Sequence, residues 1–299
     1  MTSTNIKRKP DWLKIDFRSE NNFANVSKTL KANHLHTICE SGRCPNIAEC
    51  WNRGTATFMI LGDVCTRSCG FCNTQTGKPL PPNPQEPQKL AEAVKAMKIK
   101  HIVITSVTRD DLADGGAKHW AECISAIKTE QPQASIEVLI PDFKGDNSLI
   151  DIVIAAKPNV ISHNIETTRR LTPSVRSTAK FDTSLSVLKH ISEQKIRSKS
   201  GFMLGLGETE TEILETMDEL LNVGCQVLTL GQYLQPSKKH LPVADYIHPD
   251  KFAEYKQVAL QKGFLFVESA PLVRSSYFAE RHIQLRIKNY ELRDTKINF

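Results

Sequence analysis

From residue 57 onward, short apolar runs alternate with helix-patterned segments, and this alternation narrows the fold more than any other feature of the chain. The runs are TFMILG (57–62), HIVITSV (101–107), SIEVLIP (135–141), NVISHNIE (159–166), RSKSGFMLG (197–205) and QVLTLGQYL (226–234). They are short and rich in Ile, Val, Leu and Phe, which predicts strands covered on both faces. Between them, PQKLAEAVKAMKI sets Leu90, Val94 and Met97 on one helical face. ETETEILETMDELLNVG does the same with Ile213, Met217, Leu220 and Leu221. Thr209 and Glu212 are spaced as a capping box for that second helix, and Gly224 stands where a left-handed residue ends it. Strand–helix alternation of this kind builds a parallel sheet with helical crossovers. Six units are too few for an eightfold barrel, so the expected fold is α/β, an open or partial (β/α)6 barrel.

Three regions follow. Residues 1–56 form an N-terminal extension of short helices and loops, in which DFRSENNFANVSKTLKAN offers Phe23, Val26 and Leu30 as an apolar stripe. Residues 57–262 form the barrel, and residues 263–299 a further strand, GFLFVESAP, with a basic tail. The Pro-rich KPLPPNPQEPQK (78–89) reads as a surface loop.

A hydrophobic content of 40% with 24% charged residues suits a globular protein. No apolar run approaches the roughly 18 residues of a membrane span. The polar, basic start MTSTNIKRKPDWLK lacks the apolar segment of a secretory signal, so the cytoplasm is the expected compartment. The net charge of +6 suits an acidic partner. No basic run is interleaved with aromatics, so nucleic-acid binding is not expected. No apolar stripe remains once the core is assigned, and a monomer is expected.

Six of the eight cysteines fall between residues 39 and 72. In a reducing compartment such crowding reads as soft metal ligands rather than disulfides. Cys123 and Cys225, each in apolar company, read as buried hydrophobes. Cys65, Cys69 and Cys72 follow the first strand directly, hence lie at the strand-end face where functional groups of such folds collect. Their C-x3-C-x2-C spacing differs from a zinc ribbon's paired C-x2-C. Two readings stand: three irons of a [4Fe–4S] cube with the fourth open to an external ligand, or a zinc site completed by a remote His. Cys39, Cys44 and Cys50 form a second group, C-x4-C-x5-C, just before the barrel.

The C-x3-C-x2-C loop with Phe71 before its last Cys resembles the radical S-adenosylmethionine superfamily. Together, CESGRCPNIAECW, GDVCTRSCGFC, TSVTRDDLADGGAKHW, SHNIET, GFMLGLGE, LTLGQYLQPSKKHLPV and RSSY are similar, in order across residues 39–277, to the lipoyl synthase family. The resemblance implies two [4Fe–4S] clusters and S-adenosylmethionine as cofactors. Cys65, Cys69 and Cys72 would hold the cluster that cleaves S-adenosylmethionine to a 5′-deoxyadenosyl radical. Cys39, Cys44 and Cys50 would hold an auxiliary cluster completed by a serine of RSSY, assigned to Ser276 with its neighbour Ser275 as the competitor, and this cluster would supply sulfur. The implied reaction inserts two sulfurs, at C6 and C8 of an octanoyl chain on a lysine of a lipoyl carrier domain. Such carriers are the E2 subunits of 2-oxoacid dehydrogenases and the glycine cleavage H protein, with a ferredoxin or flavodoxin as electron donor. Those C–H bonds carry no acidic proton, so a base cannot reach them and the cofactor must carry the hard step.

For S-adenosylmethionine the strand ends offer Thr105, Ser106, Asn164 and Glu166, with Gly205 and Gly207 as points of close backbone approach. Arg109, Asp110 and Asp111 are expected to orient cofactor or substrate, or to pair with one another. Arg274 is expected to shield or position the auxiliary cluster, or to form a surface ion pair. Two residues depart from the family pattern: Phe278 where a His usually follows RSSY, and Gly70 where a basic residue is common. Another radical S-adenosylmethionine activity, of methylthio-transferring or biotin-forming type, is the main rival. An Fe–S carrier or zinc-structured binding module is the non-enzymatic one.

Overall fold

The computed structural model describes residues 8–14, 21–53 and 56–284. Eight strands form one sheet in the order β1 (His36–Thr37), β2 (Thr57–Ile60), β5 (His101–Ser106), β6 (Ser135–Leu139), β7 (Val160–Ser162), β8 (Arg197–Leu204), β9 (Val227–Gln232) and β10 (Phe266–Ser269). The two-residue strands β3 (Val64–Cys65) and β4 (Gln75–Thr76) pair separately. All neighbours from β2 to β10 run parallel, and only β1 is antiparallel to β2. Helices α4 (Glu86–Ala96), α5 (Ala117–Glu130), α6 (Asn147–Ala155), the short α7 (Thr172–Val175), α8 (Phe181–Glu193), α9 (Glu210–Asn222) and α10 (Pro249–Lys262) lie in the crossovers. The α/β partial barrel is therefore present, and all seven expected strand runs form strands. β10 joins the main sheet beside β9.

Local chemistry accounts for several boundaries. The Thr209–Glu212 capping box starts α9, and Gly224, at φ +80°, follows its end. The Pro-rich loop is shorter than expected because Pro87 sits in the first turn of α4, where a missing N–H costs nothing. Ile213, Met217 and Leu220 of α9, and Leu90 and Val94 of α4, are buried against the sheet. In the extension, α1 (Asn21–Ala32) lays Val26 and Leu30 into the core, and Phe23 meets the Trp51 ring at 4.9 Å. Two short helices, α2 (Ile38–Ser41) and α3 (Ile47–Asn52), carry Cys39 and Cys50. Cys123 and Cys225 are buried, as expected. Among the described residues no helix is long and apolar enough to cross a membrane.

A charged cluster occupies the lower part of the barrel. Lys199 Nζ lies 2.7 Å from Glu137 Oε1, and each side chain is only 1% exposed. His282, on the short C-terminal helix α11 (Glu280–Gln284), brings its Nε2 to 2.9 Å from the other Glu137 oxygen. Burial alone would raise the Glu137 carboxyl, but the Lys199 and His282 neighbours hold it down at about 2.

Candidate active site

β2 leaves the sheet through Leu61 and Gly62, both at positive φ (+68° and +90°). A leucine in that region is strained. Polar groups hold it from two sides: the Leu61 N–H donates to the Glu86 carboxylate (2.9 Å), and Arg109 Nη1 donates to the Leu61 carbonyl (3.2 Å). The same Glu86 oxygen meets His119 Nε2 at 2.6 Å. This elbow aims the chain into the loop that bears Cys65, Cys69 and Cys72.

Neighbouring strand-end loops fasten that loop. Thr66 N–H and hydroxyl both donate to the Thr108 carbonyl, at 3.1 and 2.9 Å. Gly70 N–H donates to Val175 and its carbonyl accepts from Leu241. His240 Nε2 lies 3.0 Å from the Cys72 carbonyl. A Cβ at Gly70 would come within 3.0 Å of the Leu241 side chain, so the small residue at this position lets the 235–248 segment pack onto the thiol loop. The strongest tie is Arg67, which lies between the thiols. Its guanidinium forks onto Asp110 (2.6 and 2.9 Å) and onto Asp142 (2.8 and 2.8 Å), anchoring the loop to the ends of β5 and β6. Burial would raise the Asp142 carboxyl, yet Arg67 holds it at about 2.

Members of both thiol groups face one cavity of about 560 Å³, within the size range of cofactor-binding clefts. Cys65, Cys69, Cys72 and Phe71 line it, as do Cys39, Cys44, Ser275, Ser276 and Arg274. Thr105, Ser106, Asn164 and Glu166 also line it. Ser106 Oγ and Asn164 Oδ1 are buried with no hydrogen-bond partner among the described residues, which suits both to hold a bound molecule. Thr105 instead turns its hydroxyl to the Leu139 carbonyl, 3.2 Å away. Glu166 adopts φ +67°, and burial raises its carboxyl although Arg176 and Asn164 oppose this. A strained carboxylate on a cavity wall is the kind of residue a functional site retains.

A smaller pocket of about 40 Å³ adjoins, lined by Cys39, Cys44 and Cys50 together with Thr57, Arg274 and Ser276. Ser276 Oγ accepts from Thr57 Oγ1 at 2.7 Å, whereas Ser275 Oγ accepts from Asn164 Nδ2 and lines only the larger cavity. Ser276, not Ser275, thus shares a pocket with all three thiols.

The donor chemistry fits iron–sulfur clusters. Burial pushes Cys39 up to about 11 and Cys50 up to about 12, with each thiol also raised by its neighbours in the group. Cys69 and Cys72 are raised too, chiefly by burial. Buried thiols kept protonated in this way become thiolates when a cation arrives to balance them. Among the described residues no three His, Cys, Asp or Glu side chains are grouped to hold a single metal ion. Zinc needs its ligands to converge on one point, while a cube spreads three cysteines over three irons.

Several expected site residues lie elsewhere. Gly205 and Gly207 do not line the cavity. Gly205 is needed at φ +95° because a Cβ would collide with Gln232 Nε2 (2.2 Å) and the Asp245 carbonyl (2.4 Å). Its N–H and that of Leu206 donate to the Glu208 carboxylate. Arg109 is buried, pairs with Asp111 and braces Leu61; Asp110 serves Arg67. Arg274 is no surface ion pair: it lies between the two pockets, and its Nη1 donates to the Val273 carbonyl. Sequence reasoning missed Arg67 and Glu86, although a cation between metal-ligand candidates is a signal that points to a brace.

Comparison with known proteins supplies the family. The Radical SAM superfamily matches residues 59–220. A lipoyl synthase of Bacteroides fragilis is 58% identical over 281 residues, covering 94% of this chain and 98% of the relative. A lipoyl synthase of Parabacteroides distasonis is 58% identical over 276 residues, covering 92% and 98%. Among solved structures, Streptococcus suis SuiB bound to S-adenosylmethionine aligns over 76% of this chain and 54% of its own, with a TM-score of 0.58 and 13% identity, a likeness of fold. By the superfamily match and the near full-length identity, the chain belongs to the lipoyl synthase family of the radical S-adenosylmethionine superfamily.

Proposed function

We propose that this lipoyl-forming enzyme divides its reaction between the two thiol groups. Cys65, Cys69 and Cys72 would hold the [4Fe–4S] cluster that supplies reductive cleavage of S-adenosylmethionine. Cys39, Cys44 and Cys50, with Ser276, hold the auxiliary cluster. When bound, these groups supply hydrogen-atom abstraction from an unactivated chain and the two sulfurs added at C6 and C8 of an octanoyl-lysine. The observation that carries this reading is that Cys65, Cys69 and Cys72 border one cavity with Cys39, Cys44 and Ser276, and that Cys50 joins the latter three in the adjoining pocket.

The chain's own residues would then bind and exclude. Ser106, Asn164 and Glu166 offer polar atoms to S-adenosylmethionine from the ends of β5 and β7, with Phe71 and Thr105 on the same wall. Met59, Val103, Leu139, Phe202 and Met203 give an apolar surface suited to an alkyl chain, and it keeps water away from the reacting carbons. A serine oxygen is a harder, weaker iron ligand than a thiolate, which suits a cluster that must come apart to release sulfur. Residues before 57 and after 262 are read as the two extensions that build this second site.

The substrates are lipoyl carrier domains, with 2-oxoacid dehydrogenase E2 subunits and the glycine cleavage H protein as candidates. A ferredoxin or flavodoxin is the proposed electron donor. A reducing cytoplasm would keep the eight free cysteines reduced. A monomer is proposed because Trp12, Leu80 and Leu260 are the exposed large hydrophobics among the described residues, too few for an obligate interface. Anaerobic reconstitution tests the assignment: about eight irons with matching sulfide per chain are expected from two four-iron cubes. About four irons, or zinc without labile sulfide, would overturn it.

A further inference from the structure

The segment that carries Ser276 is gripped along its length by one face of α3, the helix that carries Cys50. Asn46 Nδ2, at the start of α3, donates to the Leu272 carbonyl at 2.7 Å. One turn on, both Glu49 oxygens lie 3.1 Å from the Tyr277 hydroxyl, which donates to the carboxylate. At the end of α3, Arg53 Nη2 lies 2.6 Å from Glu280 Oε1, and the Arg53 guanidinium stacks over the Phe278 ring at 4.3 Å. Arg281 stacks on that ring as well, at 3.5 Å. Positions 46, 49 and 53 are spaced by three and four residues, so they share one helical face. At its far end the segment is anchored by His282, whose carbonyl accepts from Arg197 and whose ring meets Glu137 low in the barrel. Ser276 lies between these ties.

Arg53, Tyr277, Phe278 and Glu280 also line the small pocket with the three thiols and Ser276, so the clasp forms one of its walls. Arg53 and Glu280 are only about one-third exposed, at 35% and 36%. Phe278, at φ +51°, departs from the family pattern, and its stacking on two guanidiniums gives that departure a structural role. A hydroxyl oxygen is too weak a ligand to find iron unaided, so its placement has to come from the backbone that presents it.

Resting on the reading that Ser276 completes the auxiliary site, we propose that Arg53 and Phe278 are positioning residues. They clasp the 274–280 segment to α3, hold Ser276 against Cys39, Cys44 and Cys50, and so set how readily the auxiliary cluster is lost. The clasp involves no bond to iron.

Two measurements separate this proposal from the site reading beneath it. In the cluster-free chain, Arg53→Leu is expected to raise backbone hydrogen exchange across 274–280 about tenfold, the combined worth of an ion pair and a cation–π contact. After reconstitution, a chelator should strip the auxiliary irons about tenfold faster than from the wild type, with the other four irons lost at the unchanged rate. Arg53→Lys, which retains a cation near Glu280 and the ring, should restore part of the difference. Glu280→Gln, a milder change, should move both readouts in the same direction and serves if Arg53→Leu fails to fold. Cys50→Ala is the control: if it does not lose four irons, the site reading fails. If it does, and both clasp variants exchange and release iron like the wild type, the clasp proposal alone is overturned.

Discussion

Cys50→Ala retains cleavage of S-adenosylmethionine but inserts no sulfur, whereas Cys69→Ala loses both. This is the expected outcome if the thiol groups hold separate clusters with separate tasks. Each lost activity should fall by at least about a thousandfold, because groups that act as one unit cost as much singly as together. The contrast follows from geometry: Cys50 lines the small pocket beside Ser276, while Cys69 lines the cavity with Glu166 and Asn164. Chromatography of 5′-deoxyadenosine and mass spectrometry of the octanoyl peptide read the two steps independently. Equal loss of cleavage in both variants would show that the groups are not independent.

Arg67→Ala is expected to destabilise the cluster-free chain by about 3 kcal/mol, the scale of breaking a buried ion pair by removing one partner. Arg67 is 7% exposed and Asp142 3%, so the variant strands a carboxylate away from water. Asp110, at 26%, is better hydrated and keeps the figure at the low end of that scale. Urea unfolding of the cluster-free chain measures the loss. Arg67→Lys should recover little, since an ammonium cannot fork onto two carboxylates at once. Because the pair anchors the loop of Cys65, Cys69 and Cys72, iron uptake at that site should fall in parallel. Wild-type stability in Arg67→Ala would mean that the four hydrogen bonds are worth no more than their hydration.

The barrel was legible because each strand is a short apolar run bounded by polar loops, a signal that survives without tertiary context. The thiol loop was legible for the same reason: its place directly after TFMILG puts it at the strand-end face. β1 was not, since a two-residue strand has no periodicity to detect. The acidic residues of TRDD divide between two tasks, and sequence proximity concealed this. Asp111 turns to its neighbour Arg109, but Asp110 reaches Arg67, 43 positions away. The choice between Ser275 and Ser276 could not be made locally either, because distant partners, Asn164 and Thr57, orient the adjacent hydroxyls differently. The close packing at Gly205 was not legible either, because a glycine that admits a cofactor and one that admits Gln232 look the same in sequence. What escaped the sequence was therefore long-range pairing, the part of a fold that only a closed barrel brings together.

Anaerobic turnover tests the central claim most directly. The reconstituted chain, given dithionite, S-adenosylmethionine and an octanoyl-lysyl carrier peptide, should yield peptide in which two thiol groups replace two hydrogens, with two molecules of 5′-deoxyadenosine for each product. Cleavage of S-adenosylmethionine with the octanoyl peptide returned unchanged by a chain carrying both clusters would contradict the account.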